Sequence, residues 1–382
     1  MFSITAPPAG PRNSPRVLLV TRERVERGPA CIENEVEALK RHHPVALCIR
    51  DPDAGEEAEV DKLAELARDF GADVLHTHYL GEIPFIARLA ERTGRPFTAR
   101  THSSDTTALH PRGWMMWLRS MIQQEAPLER TPQFVHVQRA VRSDMCLGVL
   151  ALPCALPWLA RAGLPRAKLV ECHPALRFER FHDRSPNGSA IMNIGLAAPN
   201  KAKPDFLRLA EVLPELEFNL YAPRPVAREP GFSRAANGSG VAVRPRRPVH
   251  QMPAEYKKHR WLVYTGDFDL PAIGWPMAIA EAQASGVGVC MPSVRPDLAL
   301  YVGEGAGVLY DTIDELPGIV AGSVPEEMRE RGFEQAARSD IDCHLHLLTD
   351  LWDQALSRPV ASAGRTARLH PETRRDERET KP

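Results

Sequence analysis

The sequence predicts an α/β protein of two Rossmann-like, doubly wound domains facing a cleft. Three observations predict it. Short β-branched runs alternate with amphipathic stretches over residues 16–105, the mark of parallel strands joined by helices. After a polar break, the same alternation begins again near residue 190. And 382 residues leave room for two domains of ordinary size.

The first half opens on "RVLLV" (16–20), a run suited to a buried parallel strand. The helix "CIENEVEALKRHH" (31–43) and the strand "VALCIR" (45–50) follow. Next come the helix "EVDKLAELARDFG" (59–71) and the strand "DVLHTHY" (73–79). The helix "EIPFIARLAERTG" (82–94) then leads into "PFTARTHSSD" (96–105), a strand with its exit loop. The stretch "PRGWMMWLRSMIQQ" (111–124) reads as a domain-packing helix, or else as an apolar wall for an acceptor or a membrane-surface contact.

The second half is entered through "LVECHPA" (169–175) and the break "RFERFHDRSPNGS" (177–189). It continues with the strand "AIMNIGLAA" (190–198), the helix "PDFLRLAEVLPE" (204–215) and the strand "EFNLYA" (217–222). A long loop of Pro, Arg, Asn and Gly precedes the strand "WLVYTG" (261–266). The helix "IGWPMAIAEAQASG" (273–286) and the strands "GVGVCMPS" (286–293) and "GAGVLYD" (305–311) complete the set. A last helix over 329–356 is expected to return to the first half. The expected division is 1–185, 186–356 and a disordered tail, 357–382, of almost no apolar content.

Composition narrows the function. Lys+Arg (48) and Asp+Glu (49) nearly cancel, so bulk charge gives no case for nucleic acid and does not favour a membrane partner. No apolar run reaches the length of a spanning helix, and the Pro-rich start lacks the apolar block of a secretory signal. Seven scattered cysteines fit reduced thiols better than a disulfide framework, so a cytoplasmic protein is expected.

In open α/β sheets, ligands sit at the carboxyl ends of strands. Three polar clusters fall there: His76 and His78; Thr101, His102, Ser103, Ser104 and Asp105; and the loop "GLAAPNKAK" with Lys201 and Lys203. A lysine between a strand end and a helix suits a phosphate, though a solvated loop has the same look. Alternate residues of a strand share a face, which aligns His76 with His78, but the sequence offers no third metal ligand. "CHLH" (343–346) reads as surface helix, with metal as the rarer reading. Glu281 is the oddity: one carboxylate inside an apolar, small-residue helix, where a core helix normally carries none.

On these stretches the chain resembles a family-4 retaining glycosyltransferase of the GT-B fold. "DVLHTHYL" resembles the family's third N-domain strand, and "PFTARTHSSD" the next one, where a histidine faces the donor sugar. "KLVECHPALRFERF" resembles the entry to the C-domain and "IGLAAPNKAK" the phosphate loop. Residues 273–310 resemble the nucleotide-sugar signature. The resemblance spans roughly residues 16–320. It implies that Glu281 binds the donor ribose, with Gly274, Trp275, Pro276, Met277 and Ala282 lining the donor site. It implies His102 and Lys201 as catalytic groups, Gly28 and His78 on the acceptor side, no metal, and no cofactor beyond a nucleoside diphosphate sugar. The partners it implies are that donor and a glycan or small-molecule hydroxyl acceptor.

The chain departs from the pattern at two places. Ile273 stands where the family has a second glutamate, and Leu196 where it has an arginine after the glycine. The second loss removes a bidentate phosphate clamp that a lysine does not reproduce. Asp267, Asp269 and Arg247 are candidates for compensation. The rival readings are a non-catalytic GT-B protein that binds a nucleotide sugar or a partner, and a sugar-nucleotide epimerase, for which no convincing carboxylate pair is visible.

Overall fold

The computed structural model describes residues 2–4, 14–22, 30–51, 55–102, 133–195, 203–222, 238–245, 247–265, 277–294 and 298–357. Its first sheet contains β1 (Phe2–Ile4), β2 (Val17–Thr21), β3 (Val45–Ile49), β4 (Val74–His78), β5 (Phe97–Arg100), β6 (Cys146–Ala151) and β7 (Leu169–Glu171). Their order is β1-β3-β2-β4-β5-β6-β7. β1 runs antiparallel to β3, and every other pairing is parallel. The second sheet contains β8 (Ala190–Ile194), β9 (Phe218–Ala222), β10 (Val241–Pro245), β11 (His259–Val263), β12 (Gly288–Pro292) and β13 (Val308–Tyr310). Its order is β10-β9-β8-β11-β12-β13, with all pairings parallel. The second order is that of a dinucleotide-binding Rossmann sheet. The chain is thus α/β, with two doubly wound, Rossmann-like halves.

Burial explains why these runs are strands. β2, β4, β8 and β9 are buried at every position, as helices covering both faces of a parallel sheet require. Helix α1 (Ala30–His42) packs through Ile32, Val36 and Leu39, the i, i+4, i+7 stripe of an amphipathic helix. Helices α2 (Glu56–Phe70) and α3 (Ile83–Thr93) contribute Val60, Leu63, Phe85, Ile86 and Leu89 to the same half.

The structure adds to the sequence reading in three places. The helix Gln133–Arg142 and strand β6 lie between the expected strands 96–105 and 169–175. The Pro- and Arg-rich loop contains β10 and the helix Met252–Tyr256. The expected helix over 329–356 is three pieces: Glu326–Ala337, Ile341–His344 and His346–Leu356. The break has a cause. Leu176 and residues 339–341 exchange backbone hydrogen bonds, Leu176 N–H to Ser339 O (3.1 Å) and Ile341 N–H to Leu176 O (2.7 Å). Asp340 then caps the next helix. Beyond the break, Trp352 is fully buried, packs edge-on to His43 and His76, and donates its indole N–H to Thr98 Oγ1 at 3.1 Å. The last helix therefore lies against the first sheet.

Helix α1 also holds the segment between the sheets. Asn34 donates to Ala175 O (2.7 Å), and Arg180 reaches Asn34 Oδ1 (3.3 Å) and Glu37 (2.9 Å). Arg177 joins Glu37 as well.

Candidate functional site

Each sheet has a point where strand order reverses, and the crevice for a ligand opens there. In the second sheet it lies between β8 and β11, at Asn193, Gly195 and Thr265. Asn193 Nδ2 donates to Thr265 Oγ1 at 3.0 Å, and Gly195 leaves β8 at φ 127°, a backbone that favours glycine. The helix Met277–Ala284 follows β11, with Met277 half-buried at its first position. Ala280, Ala282 and Ala284 are buried, so small side chains let it pack closely. Gly286, at φ 72°, turns the chain at its end, where a Cβ would stand 2.7 Å from Arg329 Nε.

Glu281 is 6% exposed, and its Oε2 accepts the Tyr256 hydroxyl at 2.7 Å. Tyr256 is itself fully buried and packs edge-on to Phe181. A buried carboxylate needs donors, and Tyr256 supplies one. Sequence reading did not pair the two residues, which lie 25 positions apart on separate elements.

In the first sheet the reversal lies between β2 and β4, and the end of β4 is densely polar. His76, His78, Glu35 and Arg100 are all buried there. Glu35 comes from α1 and reaches His76 Nε2 at 2.7 Å through Oε1, while Arg100 pairs with Oε2. His76 Nδ1 lies 2.8 Å from Thr98 Oγ1, the oxygen that also takes the Trp352 N–H. His78 Nδ1 lies 3.1 Å from His102 Nε2, and His102 Nδ1 lies 3.4 Å from Cys31 Sγ. Tyr79, just after β4, adopts φ 73°, a strained backbone for a tyrosine, and its ring rests 4.5 Å from that of His102.

These surroundings set the charges. Burial lowers His102 to about 3, with Arg100 adding to the shift. Burial also holds His78 well below its ordinary value. Both rings are therefore neutral. Burial raises the Cys31 thiol to about 12, so it stays protonated. Glu35 is pushed up by burial, but Arg100 and His76 outweigh that and hold it ionised. A chain of neutral donors and acceptors, Cys31–His102–His78, thus runs beside a charged pair, Glu35–Arg100.

The structure brings His78 and His102 together at one strand end, and places Glu281, Met277 and Ala282 on one helix of the other half. Gly28, Lys201, Gly274, Trp275 and Pro276 lie outside the described residues, as do Leu196, Ile273, Asp267, Asp269, residues 103–105 and the Trp- and Met-rich stretch 111–124. Arg247 sits 3.9 Å from Glu255, beside an open pocket of about 310 Å³ along β8, β9 and β10. The pocket's charges pair among themselves: Glu255 takes Tyr221 (2.7 Å) and Lys258 (3.0 Å), and Arg244 donates to Asn219 (3.0 Å). Cys343 is exposed, His344 bonds Arg338 O, and His346 bonds Cys343 O (2.8 Å). Sequence reading missed Glu35, Arg100 and Cys31. The signal for Glu35 was present, since it falls within the apolar stripe Ile32–Val36–Leu39, as Glu281 does within its own helix.

Among solved structures, the chain is similar to several proteins over most of its length. Sucrose-phosphate synthase from Thermosynechococcus elongatus matches at TM-score 0.65 and 12% identity, over 89% of this chain and 99% of that one. A glycosyltransferase from Rickettsia africae matches at 0.64 and 11%, over 91% and 100%. HepE from Anabaena, solved with UDP-glucose, matches at 0.63 and 13%, over 89% and 99%. No family model matches the sequence, and no curated protein is similar to it by sequence. At these identities the likeness is one of fold: the chain has the GT-B architecture over most of its length.

Proposed function

We propose that the protein is a glycosyltransferase that moves a sugar from a nucleoside diphosphate sugar to a hydroxyl acceptor. The observation that carries the proposal is Glu281, a buried carboxylate held by Tyr256 on the helix that follows the Rossmann reversal point. A carboxylate there can accept the two ribose hydroxyls of a nucleotide. The fold supports the reading, because HepE was solved with UDP, with UDP and glucose, and with UDP-glucose.

In the proposed reaction, charge grows on the departing diphosphate while the sugar becomes oxocarbenium-like. Stabilising that phosphate is the main catalytic task. Lys201 supplies the cation, and the backbone N–H groups at the start of the Met277–Ala284 helix add to it. His102 orients the sugar. Its Nδ1 partner is a thiol, a weak hydrogen-bonding group that a sugar hydroxyl can displace. Met277 and Ala282 belong to the donor side, and Gly28 and His78 to the acceptor side. The sugar is transferred with retention, from a front-face attack in which the leaving phosphate takes the acceptor proton. No metal ion is required at the diphosphate. Among the described residues no helix is long and apolar enough to cross a membrane. A cytoplasmic role in glycan or polysaccharide synthesis is the setting we assign.

Glu281→Ala and Lys201→Ala test this. The first weakens nucleotide binding. The second abolishes turnover and leaves binding largely in place. Unchanged turnover in Lys201→Ala refutes the catalytic assignment. Leu196 and Ile273 favour one rival, a protein that binds nucleotide sugars without turning them over. It is identified by tight nucleotide binding with no sugar release from any donor.

A further inference from the structure

The end of β4 holds an arrangement that sugar transfer leaves largely unexplained. Three buried atoms from two elements converge: Glu35 Oε1 from α1, and His76 Nε2 and His78 Nε2 from β4. One ligand atom from each residue lies within 4.8 Å of the others. Among the described residues His78 Nε2 has no hydrogen-bond partner, and His76 Nε2 and Glu35 Oε1 face each other at 2.7 Å. A buried polar atom without a partner is costly, and a cation placed among the three would satisfy His78 Nε2 while being shared by the other two.

The outward atom of each residue is fixed. His76 Nδ1 meets Thr98 Oγ1 at 2.8 Å, which Trp352 holds in turn. His78 Nδ1 meets His102 Nε2 at 3.1 Å. Glu35 Oε2 is held by Arg100, whose Nη1 also reaches Cys172 Sγ (3.1 Å) and His173 O (3.4 Å). Metal-binding histidines are oriented in this way, with the second nitrogen fixed by a neighbour so that the first presents its lone pair.

We propose that Glu35, His76 and His78 bind a transition-metal dication of the zinc type. Two imidazoles and one carboxylate suit zinc and cobalt, and suit magnesium or calcium poorly, since those ions take oxygen ligands. Tetrahedral ligands around zinc stand about 3.3 Å apart. Reaching that spacing requires torsional adjustment of the three side chains. Arg100 opposes a dication by its charge, which favours an ion with strong affinity for imidazole. The cation would tie α1 to β4 and fix the His78 proton on Nδ1, from which it is donated to His102. The site is in the other half of the molecule from Glu281, and it touches the proposed transfer only through the His78–His102 contact.

The test is a titration of the tag-free, full-length protein with Co²⁺, read by its visible d–d absorption, with Zn²⁺ as competitor. One equivalent is expected to give the strong absorption of a four- or five-coordinate ion, and Zn²⁺ to abolish it. His78→Ala should remove the signal. Thr98→Val, which keeps side-chain shape and removes the oxygen shared by His76 and Trp352, should weaken binding by about 10- to 100-fold. The signal should persist in a Cys343→Ser, His346→Ala double variant, which disables the surface cluster. No absorption from a folded protein overturns the proposal, as does a signal lost in the double variant or retained in His78→Ala. UDP titration of the same samples reports separately on the donor site.

Discussion

Tyr256→Phe is the sharpest probe of the donor half. The substitution keeps the buried ring and its edge-on contact with Phe181, 5.9 Å between centroids, and removes only the hydroxyl. Glu281 then loses the 2.7 Å donor to Oε2 while remaining 94% buried. A hydrogen bond to a charged group contributes about 1.5–3 kcal/mol. At about 2–4 °C per kcal/mol for a domain of this size, the melting temperature falls by about 3–12 °C. The hydroxyl also aims the carboxylate. Losing about 1.4 kcal/mol of that alignment weakens nucleotide binding roughly tenfold. The assay is thermal melting and calorimetric titration on the same preparation, with Phe181→Leu as a packing control. A variant that melts with the wild type refutes the structural part. A variant that melts lower yet binds nucleotide at wild-type affinity refutes the placement of Glu281 at the ribose.

Other outcomes follow from the same geometry. Trp352→Ala empties a fully buried position against the first sheet and strips Thr98 of a donor; it should cost about 3–5 kcal/mol, read from the denaturant midpoint. Gly286→Ala places a Cβ at φ 72° and 2.7 Å from Arg329 Nε, and should destabilise by about 1 kcal/mol or more. His259 is neutral in the fold: Nδ1 donates to Glu255 O (2.7 Å), Nε2 accepts from Asn219 (3.1 Å), and burial lowers it below 6.5. The unfolded chain therefore binds the extra proton first, and stability, full above about pH 6.5, is lost as pH falls toward the folded value. His43, His78, His102 and His173 shift the same way, so denaturant titrations from pH 7.5 to 5 should show a steady decline that His259→Gln reduces. Turnover should survive EDTA. Complete loss that Mg²⁺ restores contradicts the proposed mechanism, whereas loss restored by Zn²⁺ alone points to the Glu35 cluster.

The fold was legible where burial on both faces produced unbroken apolar runs, as in β2, β4, β8 and β9. It was hidden where the local pattern was weak. β10 reads "VAVRP" and ends in the exposed residues Arg244 and Pro245, so as an edge strand it resembles a loop. The break near Ser339 depends on backbone bonds to Leu176, more than 160 residues away, which no local pattern reports. Glu281 was visible as a misplaced charge, yet its partner Tyr256 was not. Glu35 carried the same signal and was overlooked because the flanking Glu33 and Glu37, both more exposed, gave the helix an acidic look. A carboxylate on the apolar stripe of a helix is the common signal of both clusters.

The measurement that tests the account most directly is calorimetric titration with UDP, GDP and ADP, followed by hydrolysis of the matching nucleotide sugars. The account predicts that one nucleoside diphosphate binds, that its sugar conjugate is slowly cleaved, and that Lys201→Ala stops the cleavage while nucleotide still binds. Failure of the folded protein to bind any of the three would contradict it, and would mean that Leu196 and Ile273 mark a donor site that has been lost.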